Sequence, residues 1–306
     1  MIKSQSYSRH CKIDILFEDE YLCVINKPAG LLSVPNHDNE KSALGLLEEI
    51  MRKKGTFSSA HRPFAVHRLD RETSGVMMFA LSESARQKIM DTWHKMVSER
   101  LYRAVAENPG NPRKFLPDSG LIDDDLAFNA YNMGFVPKKG AKFEKSVHFE
   151  RGGKNQTARD SKKSPPTVPA RTRFTTILRG ETHTLFELSL DTGKKNQIRA
   201  HLASKGYPLA GDKNYRAQTD HFHRLCLHAR TLCFAHPFTG RQMRFEVPEN
   251  PEWKAYVESG DAGVMMRRQA GGRDSAHEEE PLVLGKKRLS AKDKAHMNFI
   301  EIGKFR

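Results

Sequence analysis

The sequence predicts an α+β domain: short strand-like runs are separated by tight turns, only a few amphipathic helices interrupt them, and neither alternating βαβ units nor a repeat of fixed period runs through the chain. Ile13–Phe17 and Tyr21–Asn26 flank the polar Glu18–Glu20 in a hairpin pattern, and the second run enters the turn-rich NKPAG. Ser42 is a cap residue ahead of Leu44, Leu47, Ile50 and Met51, which share one helix face, and Lys53, Lys54 and Gly55 close that helix. After His67–Gly75, the run VMMFAL is a buried strand, and Ser82 opens a helix whose Ala85, Ile89 and Trp93 recur at four-residue spacing. HRLDRETSG is therefore a loop pressed against a strand. In Leu101–Ala106, alternation puts Tyr102, Ala104 and Ala106 on one strand face.

From about Asn108 to Pro169 the chain is rich in Gly, Pro, Lys and Asn, and GGKNQTARDSKKSPPTVP has the composition of a long flexible loop. Strands resume at Phe174–Arg179 and Thr184–Leu190, followed by the loop DTGKK and a helix near Asn196–Lys205 that Gly206 stops. Leu225–Leu227, Thr231–Phe234 and Met243–Val247 are further strand candidates. Beyond Gly260 the mixed-charge sequence cannot bury enough apolar area to fold alone, and 261–306 is expected to be a polar tail.

A net charge of +14 favours an anionic partner, because a basic surface concentrates polyphosphate and releases its condensed counterions on binding. No stretch is long and apolar enough to span a bilayer, and MIKSQSYSRH lacks the apolar core of a secretory signal, so a cytoplasmic protein without a membrane partner is expected. The four cysteines form no CxxC pair; His223, Cys226, His228 and Cys233 match no standard zinc spacing, and no metal is expected. Asp123–Asp125 are consecutive and point in different directions, which suits a solvated turn better than the two-metal site of a nuclease or nucleotidyl transferase. P-loop, dinucleotide-binding and nucleophile-elbow patterns are all missing.

Three segments carry chemistry: HRLDRETSG with Asp70, RLYRAV with Tyr102, and DTGKKNQIRAHL with Arg199. Each has a bland reading alone, since a loop Asp often caps a turn, a strand Tyr packs, and a helix Arg is solvated. Together they resemble the RluA-type RNA pseudouridine synthases, over roughly Ile13 to Pro248. HRLDRETSG is similar to that family's HRLDxxTSG, and ILFEDEYLCVINKPAGLLSVP, RLYRAV, TGKKNQIRAHLASKGYPLAGDKNY and LHARTLCFAHP follow in the family's order.

The resemblance implies the family's catalytic fold for residues 1–260: a mixed, mainly antiparallel sheet with flanking helices and a central RNA-binding cleft, bearing a flexible basic insertion at about 136–169. It implies uridine isomerisation in tRNA or rRNA loops, with Asp70 as nucleophile or proton abstractor, Tyr102 as the active-site tyrosine and Arg199 as partner of the Asp70 carboxylate. Arg68 is expected to enter the RNA stack as the target base leaves. His67 and Gln197 are expected at the substrate, and Leu202 against the flipped uracil. No cofactor is expected, because the isomerisation oxidises nothing and transfers no group between molecules. No obligate protein partner is inferred. The alternative is a noncatalytic RNA-binding or ribosome-assembly protein on the same fold.

One departure falls in the third segment. The family's TGRTHQIR or TGRxHQLR becomes TGKKNQIR, so Lys194, Lys195 and Asn196 replace the Arg, variable and His positions, and altered loop packing is expected. About a dozen residues precede Ile13, so the resemblance is to the compact branch without an S4-type RNA-binding domain. GLLSVP is most like the members that modify a tRNA anticodon loop and a 23S rRNA hairpin.

Overall fold

A computed structural model of the protein describes residues 12–37, 40–137 and 165–270. The elements run β1 (Asp14–Glu18), β2 (Leu22–Lys27), α1 (Ala43–Lys54), β3 (Phe64–Ala65), β4 (Ser74–Ala80), α2 (Glu83–Met96), β5 (Val97–Glu107), β6 (Ser119–Ile122), β7 (Ala127–Phe128), β8 (Gly134–Phe135), β9 (Thr172–Arg179), β10 (His183–Leu190), α3 (Gln197–Ser204), β11 (Leu227–Ala235), β12 (Gln242–Glu246), α4 (Glu252–Ser259) and α5 (Ala262–Ala270). Contacts divide the chain into two units, 1–266 and 267–306, and every strand among the described residues lies in the first. Most of the expected insertion, 138–164, and of the expected tail, 271–306, lies outside the described residues.

The architecture is the α+β arrangement that the sequence predicts. The main sheet follows the order β1-β2-β4-β11-β5-β10-β9-β6, with β3 added to β4 and β12 to β11, while β7 and β8 pair separately. Its pairings are antiparallel except for β4 with β11. Local signals hold where the sequence placed them: Ser42 and Ser82 accept from the third backbone N–H beyond them, and Gly55 closes α1 in the left-handed conformation.

Two readings change. The separate strand candidates at 225–227 and 231–234 are replaced by one strand, β11, which starts at Leu227 and whose register against β5 slips at Arg230 and again between Cys233 and Phe234. The bulge at Arg230 puts a polar residue into an otherwise apolar run, which is why the pattern looked broken. Helix α4 went unassigned, although Trp253, Tyr256 and Val257 share its buried face against Val105 and Leu185.

The edge of β4 sets the position of the loop before it. Near its end β4 pairs with β3 through Phe79 and Ala80, and at its start with β11 through Ser74 and Gly75. Between them the Met78 N–H donates to His67 Nε2 at 2.9 Å, so a side chain completes the ladder where strands change. Gly75 has φ 115°, and a Cβ there would lie 2.1 Å from the Ala229 carbonyl oxygen, so only glycine permits this approach.

Two apolar clusters meet above this point. One contains Leu31, Leu47, Leu69, Met77 and Phe79, the other Ala104, Phe186, Leu188, Ile198 and Leu202, and Tyr102 packs against both.

Candidate active site

Asp70 lies in the loop before β4, and the NKPAGLLS segment holds that loop through its backbone. Ser33 Oγ donates to Leu69 O at 2.7 Å and accepts from Leu69 N at 3.0 Å. Gly30 N donates to Arg71 O at 2.8 Å, and the buried Lys27 ammonium donates to Arg71 O at 3.1 Å and to Leu31 O and Pro28 O. Leu69 is buried in the first cluster. Asp70 is thus flanked on both sides by residues whose carbonyls are tied down.

The carboxylate itself is held by the chain around α3. Arg199 Nη1 donates to Asp70 Oδ2 at 3.0 Å, while Nε and Nη2 form a fork on both oxygens of Asp212 at 2.7 and 2.8 Å. Its guanidinium lies over the Tyr215 ring, 5.0 Å from the centroid. Burial pulls the guanidinium pKa down, but the hydrogen bonds and charges of Asp212 and Asp70 outweigh it and raise the pKa above its usual value, so Arg199 is a permanent cation. Asn196 Nδ2 donates to the same Asp70 Oδ2 at 2.7 Å. Among the described residues no side chain bonds Oδ1, and the Asp70 side chain keeps 24% of its surface exposed. The arrangement is an oriented carboxylate, ion-paired on one oxygen and open on the other.

Tyr102, on β5, stands across the sheet from Gly75, with only Ala229 of β11 between them in register. Burial raises its phenol pKa and the Asp70 charge raises it further, against an opposing effect of Arg100, so it stays a neutral hydroxyl at physiological pH. Asp70, Tyr102 and Arg199 are therefore gathered by three separate elements.

The other site residues separate. Arg68 is exposed and has no hydrogen bond or ion pair with the described residues. His67 is engaged within the fold: Nε2 accepts the Met78 N–H, its ring packs 5.0 Å from Trp93, and burial with the Arg100 charge lowers its pKa to about 3. Gln197 is 2% exposed and spends its amide inside the protein, accepting from Thr192 Oγ1 and Lys194 N and donating to Arg171 O and Thr172 Oγ1, so it builds the loop and does not meet substrate. Leu202 is 0% exposed within the second cluster and offers no surface to a uracil.

Sequence reasoning missed Asp212, although it lies in the matched string YPLAGDKNY, and missed the contacts of Lys27 and Asn196. The residues set aside as a zinc pattern are dispersed: His228 bridges Ser74 Oγ and Val247 O, and Cys233 lies by Glu99. Asp124 O accepts from His201 Nε2, and its carboxylate pairs with Lys205.

Residues 21–204 match the family described as RNA pseudouridylate synthase. The chain belongs to that family. It is 30% identical to an uncharacterized RNA pseudouridine synthase, YlyB of Bacillus subtilis, over 81% of this chain and 72% of that one. It is 28% identical to tRNA pseudouridine synthase C of Vibrio parahaemolyticus, over 79% of this chain and 93% of the relative. Ribosomal large subunit pseudouridine synthase D of Neisseria meningitidis is 31% identical over 77% of this chain, which spans 58% of that protein. The fold is shared with human RNA pseudouridylate synthase domain containing 4, at TM-score 0.57 and 22% identity, over 79% of this chain and 90% of the human one.

Proposed function

We propose that this protein carries out its family's reaction, the isomerisation of uridine to pseudouridine, on a loop of tRNA or rRNA, with Asp70 as the essential carboxylate. The observation that carries the reading is the Asp70 carboxylate held through one oxygen by Arg199, next to Leu69 of the apolar cluster on which Tyr102 packs. The reaction breaks N1–C1′, turns the uracil and joins C5 to C1′. An ionised Asp70 attacks C1′ or C6, or removes the 2′ proton, and Arg199 holds it in place by one oxygen. Tyr102 lies against the ring and assists loss of the C5 proton. Nothing is oxidised, so the chemistry requires neither redox cofactor nor ATP.

A paired base cannot reach a carboxylate in a cleft and must be flipped, at a cost of roughly a few kcal/mol that is lowest in loops. Arg68, two residues from Asp70 and free to extend, fills the vacated stack. The net charge of +14 holds the RNA backbone. Residues 1–260 make the catalytic unit, acting on RNA in the cytoplasm without membrane or obligate protein partner.

The test is tritium release from C5-tritiated RNA, using wild type and Asp70→Ala on bulk tRNA and rRNA in EDTA. Release by wild type alone is expected. RNA binding without release from either RNA would overturn the reading in favour of a noncatalytic RNA-binding protein.

A further inference from the structure

Asn196 stands where the family pattern has histidine, and it is the first residue before α3. An asparagine there ordinarily turns its side-chain oxygen onto the free N–H groups of the first helical turn. Asn196 makes no such bond. Its backbone has φ 56° and ψ 20°, a left-handed conformation that few residues other than glycine adopt and that asparagine tolerates. The segment around it is fixed from outside: Gln197 Oε1 accepts the Lys194 N–H, and the hairpin residue Gly134 packs so close to the Lys195 carbonyl that a Cβ would lie 2.7 Å from it. The result is a half-buried amide with its Nδ2 2.7 Å from Asp70 Oδ2.

We propose that Asn196 is a positioning residue that, together with Arg199, clamps one oxygen of the Asp70 carboxylate and turns the other toward the uridine. The proposal rests on the uridine-isomerising reading above. One donor fixes a carboxylate oxygen in space but leaves the group able to swing about it; two donors from different directions remove that freedom. The second donor is neutral. The Arg199 charge is already shared with Asp212, so Asn196 adds direction without adding another cation to quench the nucleophile. The chain thereby departs from its relatives' pattern at a residue that touches the catalytic group.

Asn196→Gly keeps the left-handed backbone accessible and removes only the amide. Its single-turnover rate on RNA is expected to fall about tenfold or more, the rate equivalent of one hydrogen bond to a charged group, with Kd for the same RNA and Tm close to wild type. Asn196→Asp, the same shape without a donor and with a like charge, is expected to be slower still. The contact is also read without turnover: the Asn196 side-chain amide resonance should shift, and its protons exchange faster with water, in Asp70→Ala. An amide resonance indifferent to Asp70→Ala, or Asn196→Gly turning over at the wild-type rate, would overturn the proposal. A wild type inactive on RNA but with an Asp70-dependent amide would remove the functional reading and leave the clamp.

Discussion

Lys27 and Arg199 are both buried cations serving Asp70, and they do it by different means. Lys27 is fully buried and donates to the carbonyls of Pro28, Leu31 and Arg71, so it organises backbone. Arg199 donates to the carboxylates of Asp212 and Asp70, so it organises side chains. The difference follows from their shapes. An ammonium is a point donor that suits carbonyls converging from several directions, whereas a planar guanidinium forks onto one carboxylate and keeps an N–H for another. One cation sets where the loop runs and the other where its carboxylate points.

That comparison is broken most severely at its shared target. Asp70→Asn leaves Arg199 its fork on Asp212, so thermal unfolding and RNA binding should stay near wild type while tritium release falls to background; retained release would end the catalytic assignment. Next come the cations themselves. Arg199→Met strands the buried Asp212 and should cost about 3–5 kcal/mol in urea unfolding, together with turnover. Lys27→Met leaves carbonyls without their donor and should cost about 2–4 kcal/mol, losing turnover through loop disorder. If Lys27→Met proved as stable as wild type, the backbone-organising role would be wrong.

Arg68→Ala touches neither clamp and should slow a structured hairpin by about tenfold relative to an unstacked oligonucleotide, roughly 1.4 kcal/mol of lost help with unstacking. Equal slowing on both would remove the stack-filling role. A further effect is one of pH. His67 stays neutral in the folded protein to about pH 3, while the unfolded chain protonates it near its ordinary 6.5. The unfolded state therefore binds the extra proton as pH falls from 6.5 toward 3, and stability declines across that window. Urea midpoints at pH 7 and pH 5 should draw together in His67→Gln, which removes the titrating group.

Local elements were legible because their causes are local. The caps at Ser42 and Ser82, the stop at Gly55, and the faces of α1, α2 and β5 depend on residues within a few positions of one another. The bulge at Arg230 and the added strand β6 were not, since both depend on what a neighbouring strand offers. The site divides in the same way. Asp70, Tyr102 and Arg199 stood out through matched segments, but nothing in sequence marks Leu202 and Gln197 as buried in the interior.

The sequence by itself determined the α+β class, the basic character and the types of group available for chemistry, because periodicity, charge and motif order survive in one dimension. Only the tertiary structure decided which oxygen of Asp70 is held, that Asp212 stands behind Arg199, that Lys27 anchors the loop and that Asn196 has turned from capping a helix to holding a carboxylate. Those are contacts between residues as far as 129 positions apart. They exist only after folding has brought the two clusters together at Tyr102.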